Sequence, residues 1–346
     1  MLLFAVILLM LFASLLFRDH QQDDLNKEGS SNHGISILIP FRNEARRITP
    51  LLSSLQKLSE VEFVDVVFID DNSTDNSVEL VKNYLNQTDI SFQVIQNNGI
   101  GKKKAICTGL ATTKYDYTIC LDADVSFNSD FIEQHRNIIG RDFVVGKIMY
   151  PFPKGLLQFC VYIESKIQRV FYKPNLYSSK PLLCSGAHYA FSKALFNELS
   201  PFKDNFHIAS GDDMFFLDAV RNSNHNIHST KIAVTTDYPE NWKAFYSQRK
   251  RWLSKTGYFK KGQYLLSGLM HFLAMYIPVI LLFHNPLHSL IYLAVFGLIL
   301  FLYLVKEEPE KHFKLLIVLP VFYLIQFVLP IILVFSLPKH DQKTWR

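Results

Sequence analysis

ISILIPFRNE (residues 35–44) and VDVVFIDDNSTD (residues 64–75) share one design: a short apolar run that stops at a polar, carboxylate-bearing loop. Runs of this length, bounded by turn residues, read as strands buried on both faces. The pattern repeats downstream at 92–96 (FQVIQ) and 117–121 (YTICL). Between the runs, residues 44–58, 76–86 and 102–111 place apolar side chains at helical spacing. Strands alternating with helices imply an α/β fold with a mostly parallel sheet covered on both faces. Such sheets bind ligands beyond the carboxyl ends of their strands. Three loops fall there: Pro40 to Glu44, Asp70-Asp71 and Asp122-Ala-Asp124.

Each loop offers specific chemistry. On an extended segment Asp122 and Asp124 point to one side, so both carboxylates reach one hard divalent cation. Bridged to a diphosphate, that ion stabilises a nucleotide leaving group. An Asp-x-Asp triplet alone is expected roughly once in a chain of this length by chance, so its placement carries the reading. Glu44, Asp70 and Asp71 offer acceptors to a base or ribose, and the same loop is good turn and helix-cap chemistry. Lys102 to Lys104 follow Gly99-Ile-Gly101 at a helix start suited to phosphate, although neither a Walker A motif nor a complete Gly-x-Gly-x-x-Gly is present. Further on, Gly211-Asp212-Asp213 opens an apolar helix: Asp213 reads as a general base, with Asp212 orienting it or capping the helix. In QRKRW (248–252), helical spacing puts Gln248, Arg251 and Trp252 on one face, for stacking on a sugar and holding a diphosphate, or for anchoring at lipid headgroups.

The 346 residues are 49% hydrophobic, with four nearly continuous apolar runs at 2–17, 265–283, 287–305 and 313–336. Each is long enough to cross about 30 Å of hydrocarbon. The division expected is an N-terminal anchor (1–17), a polar linker (18–33), the catalytic domain (34–262), three transmembrane helices (263–337) and a polar tail (338–346). No basic residue precedes the first run and no clear cleavage site follows it, which favours a retained anchor over a secretory signal. The basic cluster Arg249, Lys250, Arg251, Lys255, Lys260 and Lys261 puts the catalytic domain on the cytoplasmic side of a multi-pass protein. The amphipathic stretch 155–172 suits either a headgroup layer or an ordinary core. Four cysteines without metal spacing read as reduced, mostly buried thiols. A net charge of +5 with no nucleic-acid motif suits anionic lipid or a phosphorylated substrate, and excludes nucleic acid as the expected partner.

Taken together, Ile-Pro-Phe-Arg-Asn-Glu, Ile-Asp-Asp-Asn-Ser-Thr-Asp, Gly-Lys-Lys-Lys-Ala, Leu-Asp-Ala-Asp, Cys184-Ser-Gly-Ala, Gly-Asp-Asp and Gln-Arg-Lys-Arg-Trp resemble the membrane-bound family 2 glycosyltransferases of GT-A fold. The resemblance covers about residues 34–260, on the branch with cellulose, chitin and hyaluronan synthases and ceramide glucosyltransferase-like enzymes. It implies inverting transfer from a UDP-sugar to a lipid or glycan hydroxyl. The donor would lie against Pro40, Glu44, Asp70, Asp71, Lys102 and Asp122, with Asp122 and Asp124 at Mg or Mn and Asp213 as base. Ser185, Gly186 and Trp252 would line the acceptor pocket. Cys107 departs from the pattern, since many relatives carry Asn there. Three C-terminal spans favour transfer to a lipid over a polysaccharide channel. A processive synthase, a non-catalytic scaffold with a transferase-like domain and a nucleotidyltransferase are the alternatives.

Overall fold

The computed structural model describes residues 9–14, 16, 33–58, 61–174, 178–208, 210–254, 258, 276–307, 319–328 and 332. In chain order the elements are β1 (Ile35–Phe41), α1 (Thr49–Gln56), β2 (Val64–Asp70), α2 (Ser77–Leu85), β3 (Phe92–Gln96), α3 (Lys102–Leu110), β4 (Tyr117–Leu121), β5 (Val125–Ser126), α4 (Phe131–Arg136), β6 (Phe143–Met149), α5 (Leu156–Gln168), β7 (His188–Ser192), α6 (Lys193–Leu199), α7 (Asp212–Arg221), β8 (Ile227–Thr236), α8 (Trp242–Leu253) and α9 (Pro286–Glu307). They fall into two compact units. A sheet unit takes in Leu183–Asp237 and the described part of Gln21–Pro151, and a helical unit takes in Phe152–Leu182 and the described parts of Met1–His20 and Tyr238–Lys339.

The sheet has eight strands in the order β3-β2-β1-β4-β7-β6-β8-β5. The four strands expected from the sequence are its parallel half: β1 pairs in parallel with β2 and β4, and β2 with β3. Every residue of β1, β2 and β4 is buried, which is why they read as unbroken apolar runs. Beyond β4 the sheet is mixed, because β7 inserts antiparallel between β4 and β6, and β5 pairs antiparallel with β8. β1 also runs through Pro40 to Phe41; pairing with β4 ends at Leu38, so no ladder partner is missing a donor at the proline. The strand order reverses between β1 and β4, and a ligand crevice belongs at such a switch point.

Helix α1 begins at Thr49, later than the expected 44. Residues 45–47 instead form a turn: Ala45 donates to Asp75 Oδ2 (3.1 Å), and Arg47 and Ile48 donate to the Glu44 carbonyl (2.8 and 2.9 Å). Behind the sheet lies a fully buried polar chain. The Tyr117 hydroxyl meets His135 Nδ1 at 3.1 Å, and His135 Nε2 meets His188 Nε2 at 2.9 Å. Space for the His188 ring exists only because residue 146 is glycine, where a Cβ would lie 2.1 Å from Nδ1. Burial pushes both imidazoles down, His188 to about 3 and His135 well below 6.5, with His188 adding to the second effect.

Acid therefore weakens this fold. Above pH 6.5 both states hold these imidazoles neutral; below it the unfolded chain binds protons that the native chain refuses, and stability falls by about 1.4 kcal/mol per pH unit for each imidazole. Urea midpoints in detergent should drop steadily from pH 6.5 to pH 5, and a flat midpoint over that window would refute the assignment.

In the helical unit, among the described residues, one helix is long and apolar enough to cross a membrane, Pro286–Lys306 with mean hydropathy 2.3. The other three expected spans lie partly outside the described residues. Their described parts, 9–14, 276–283 and 319–328, are helical. These pieces touch one another: Phe12 stacks on Phe296 (5.3 Å), Phe296 meets Tyr323 (6.0 Å), the Tyr276 hydroxyl donates to the Phe327 carbonyl (2.9 Å), and Ser289 Oγ donates to the Pro278 carbonyl (2.8 Å). Helix α5 buries Phe159, Cys160, Val161, Tyr162, Ile163, Lys166 and Ile167 and receives the Tyr303 hydroxyl of α9 at the Lys166 carbonyl (2.9 Å).

Candidate active site

The loops after β1 and β2 are laced together. Asn43 and Asn72 adopt left-handed backbone (φ +55° and +60°), a conformation asparagine tolerates better than most residues. Asn43 Oδ1 accepts from the Thr74 amide (2.7 Å), while the Asn43 and Glu44 amides donate to Ser73 Oγ (3.0 Å) and Ser77 Oγ (2.8 Å). Asp70 Oδ1 accepts from the Ser73 amide (3.0 Å) and closes its own turn. Asp71 is fully buried: Asn97 Nδ2 donates to Oδ1 (2.6 Å), and the Gly101 amide reaches both oxygens (2.9 and 3.0 Å). Gly101 stands at φ +96°, ψ 156°, outside the range of side-chain-bearing residues, and caps α3. Turn and cap chemistry thus accounts for much of what Asp70 and Asp71 do here.

Capping by Gly101 presents Lys102, the first residue of α3, to the next two acidic motifs. Its ammonium is buried and donates to Asp122 Oδ1 (2.8 Å) and the Gly186 carbonyl (3.2 Å), and it pairs with Asp212 Oδ2 (3.0 Å). An ammonium has three N–H bonds, and three acceptors are in place. Burial opposes the charge, yet Asp122 and Asp212 outweigh it and hold the Lys102 pKa well above its usual value. The three lysines are not a solvated run. Lys103 is buried as well, donating to the Asn205 carbonyl (2.7 Å) and the Ile208 carbonyl (3.3 Å) with its ammonium 4.0 Å from the Phe215 ring centroid.

Ala123 and Asp124 form a turn rather than continuing the extended strand, and on either side of buried Ala123 the Asp122 side chain is 34% exposed and that of Asp124 13%. Arg47 pairs with Asp124 (3.3 Å) and Glu44 (2.5 Å) at once, so a single guanidinium joins the first and third loops. On the opposite side, Gly186 donates its amide to Asp213 Oδ2 (2.8 Å), and the Met214 amide donates to Asp213 Oδ1 (2.8 Å). A Cβ on Gly186 would lie 2.5 Å from the Lys102 ammonium, so the close approach of lysine, Asp212 and Asp213 requires glycine. Ser185 holds the turn before β7, accepting the Ala187 amide on Oγ (3.3 Å) and the His188 amide on its carbonyl (3.1 Å). Asp212 is buried and also accepts from the Tyr189 hydroxyl (3.2 Å). Burial, with Cys120 and Asp212 close by, pushes the Tyr189 phenol well above its usual range and keeps it a donor.

The sheet unit therefore gathers Lys102, Asp122, Gly186, Asp212 and Asp213 into one cluster, with Asp124 and Glu44 on Arg47. Gln248, Arg251 and Trp252 lie on α8 of the helical unit, where Trp252 is exposed. Tyr189 and Arg47 were not anticipated, and only Arg47 left a sequence signal, its i, i+3 spacing from Glu44; Lys103, read with Lys102 and Lys104 as suited to phosphate, is held on the Asn205 and Ile208 carbonyls instead. Among the described residues no three His, Cys, Asp or Glu side chains are grouped to hold a metal ion. All four cysteines are free thiols, three of them buried.

Residues 36–199 match the family model described as glycosyl transferase family 2. Among curated proteins, the poly-beta-1,6-N-acetyl-D-glucosamine synthase of Staphylococcus aureus (strain COL) is 34% identical over 110 residues, which is 31% of this chain and 26% of that protein. The 4,4'-diaponeurosporenoate glycosyltransferase of Staphylococcus haemolyticus is 33% identical over 108 residues, 31% of this chain and 28% of that protein. The chain thus spans little more than a quarter of the length of these relatives. Among solved structures, the mannosyltransferase PcManGT from Pyrobaculum calidifontis, in complex with GDP-Man and Mn2+, superposes with a TM-score of 0.53 at 14% identity over 94% of each chain, a likeness of fold. Sheet order, loop placement and family match agree: residues 36–199 match glycosyl transferase family 2, and the sheet that holds them is GT-A-like in fold.

Proposed function

We propose that this chain is an inverting glycosyltransferase that moves a sugar from a UDP-sugar to a hydroxyl of a membrane-associated lipid or glycan. The observation that carries the reading is the Lys102 cluster, which ties an Asp-x-Asp carboxylate to the Gly-Asp-Asp pair beside Gly186. Asp213 takes the proton of the acceptor hydroxyl as its oxygen bonds to the anomeric carbon and the nucleoside diphosphate leaves. Asp212, held by Lys102 and Tyr189, fixes the start of α7 and with it the aim of Asp213. Donor contacts are assigned to Pro40, Glu44, Asp70, Asp71, Lys102 and Asp122, and acceptor and diphosphate contacts to Ser185, Gly186, Gln248, Arg251 and Trp252.

Asp122 and Asp124 suit Mg or Mn, since such ions are ordinarily held by one or two carboxylates with substrate phosphates completing the shell. The two partly buried carboxylates flanking Ala123 are that partial set, and the ion would neutralise charge on the departing diphosphate. Mn2+ and a sugar nucleotide accompany the structural neighbour PcManGT, which supports this reading. The apolar helix α9 and the basic residues of α8 favour association with a membrane and a cytoplasmic catalytic domain.

One curated relative is named as a polymer synthase and the other for 4,4'-diaponeurosporenoate, so processive synthesis is the second reading. Membranes containing the protein, incubated with a panel of UDP-sugars and GDP-mannose and analysed by mass spectrometry, should yield lipids heavier by one sugar with a UDP donor. A ladder of products would favour the synthase. Absence of product together with absence of UDP and metal binding would overturn both readings in favour of a scaffold.

A further inference from the structure

Within the QRKRW stretch, the family pattern singles out Gln248, Arg251 and Trp252; the side chain that organises it is the residue between them, Arg249. It is buried, and its guanidinium spends Nε and Nη2 on Glu164 of α5, at 3.0 Å from Oε1 and at 3.2 and 2.6 Å from Oε2. Nη1 donates to Gln248 Oε1 at 2.5 Å. The flat faces remain, and the guanidinium carbon lies 4.2 Å from the Trp252 ring centroid and 4.4 Å from that of Phe245. Phe245, Arg249 and Trp252 are spaced i, i+4 and i+7, one stripe of α8. Gln168 Nε2 braces the other end by donating to Glu164 Oε1 (3.0 Å).

We propose that Arg249, anchored by Glu164, is the positioning residue that fixes Gln248 and Trp252 for the acceptor. The inference rests on the acceptor role assigned above to those two residues. One planar cation grips an amide oxygen with its edge and an exposed indole with its face, so neither side chain selects its rotamer independently. Lysine retains the charge but has neither the fork nor the face, which makes Arg249→Lys the diagnostic change.

The test uses the full chain in detergent with Trp242 and Trp345 replaced by phenylalanine, so that emission reports Trp252 alone. Arg249→Lys should shift that emission and raise the acceptor KM about tenfold, with UDP affinity within about twofold of the parent. Glu164→Gln should give the same emission shift in a smaller step, and serves where the lysine variant does not accumulate. Unchanged emission and KM in both variants, or loss of UDP binding in step with the rise in KM, overturns the proposal. If the parent protein binds UDP but transfers no sugar, the transfer reading fails, while the emission arm still decides whether Arg249 positions Trp252.

Discussion

Lys102→Met is expected to abolish sugar transfer and to lower the stability of the sheet unit by about 3–5 kcal/mol, the usual cost of removing one partner from a buried ion pair. Methionine preserves the packed stem and deletes two hydrogen bonds and the ion pair with Asp212. Most of the cost falls on Asp212, whose side chain is 5% exposed and keeps only the Tyr189 hydroxyl, whereas Asp122, at 34%, regains water. Because the native Lys102 pKa is raised, its contribution is complete below the ordinary lysine value of 10.5 and fades only as pH climbs through the higher native value. Urea midpoints measured at pH 7 and pH 9 should therefore show the same deficit. Removing the orphaned charge as well, in Lys102→Met with Asp212→Asn, should recover part of the stability and none of the activity. A single variant as stable as the parent protein would show that the ammonium is not holding these carboxylates.

What the sequence disclosed depended on whether the physical cause was local. Strands β1, β2 and β4 are legible because strands buried on both faces are apolar nearly throughout and end at turns, whereas the half-buried edge strand β3 is legible from a short apolar run alone. β8 escaped notice: Ile227–Thr236 carries His228, Ser229, Thr230 and Lys231, is half-buried over most of its length, and lacks both the continuous run and the clean alternation. β5 is a two-residue bridge with no periodicity to detect. In the candidate site, residue types and loop placement were readable, but saturation was not. That Lys102 reaches Asp122, Asp212 and the Gly186 carbonyl at once depends on Gly186, 84 residues away in sequence, being glycine. Arg249 was hidden for a related reason, since a charged residue between two motif positions reads as solvated surface until Glu164 appears beside it.

Asp213→Asn is expected to reduce turnover by about 10²–10⁴-fold while UDP affinity and thermal stability stay near those of the parent protein. The choice of this carboxylate over its neighbour rests on their surroundings. Asp212 is buried and its Oδ2 is committed to Lys102 and Tyr189, so it can orient but has no face for an acceptor. Asp213 is half-buried and is held by the Gly186 and Met214 amides, which set its direction. Asparagine keeps the shape but has one acceptor oxygen for those two amides, so one hydrogen bond is lost, at a cost of about 1 kcal/mol. That cost is small beside the catalytic loss, which keeps the two effects separable. Asp212→Asn should behave in the opposite way, losing measurable stability because the buried Lys102 charge is left with one carboxylate, and losing activity through the shifted start of α7. Measuring turnover and the urea midpoint for both variants in one membrane preparation decides the assignment. If Asp213→Asn turns over as the parent does while Asp212→Asn is folded and inactive, the roles of the two acids must be exchanged.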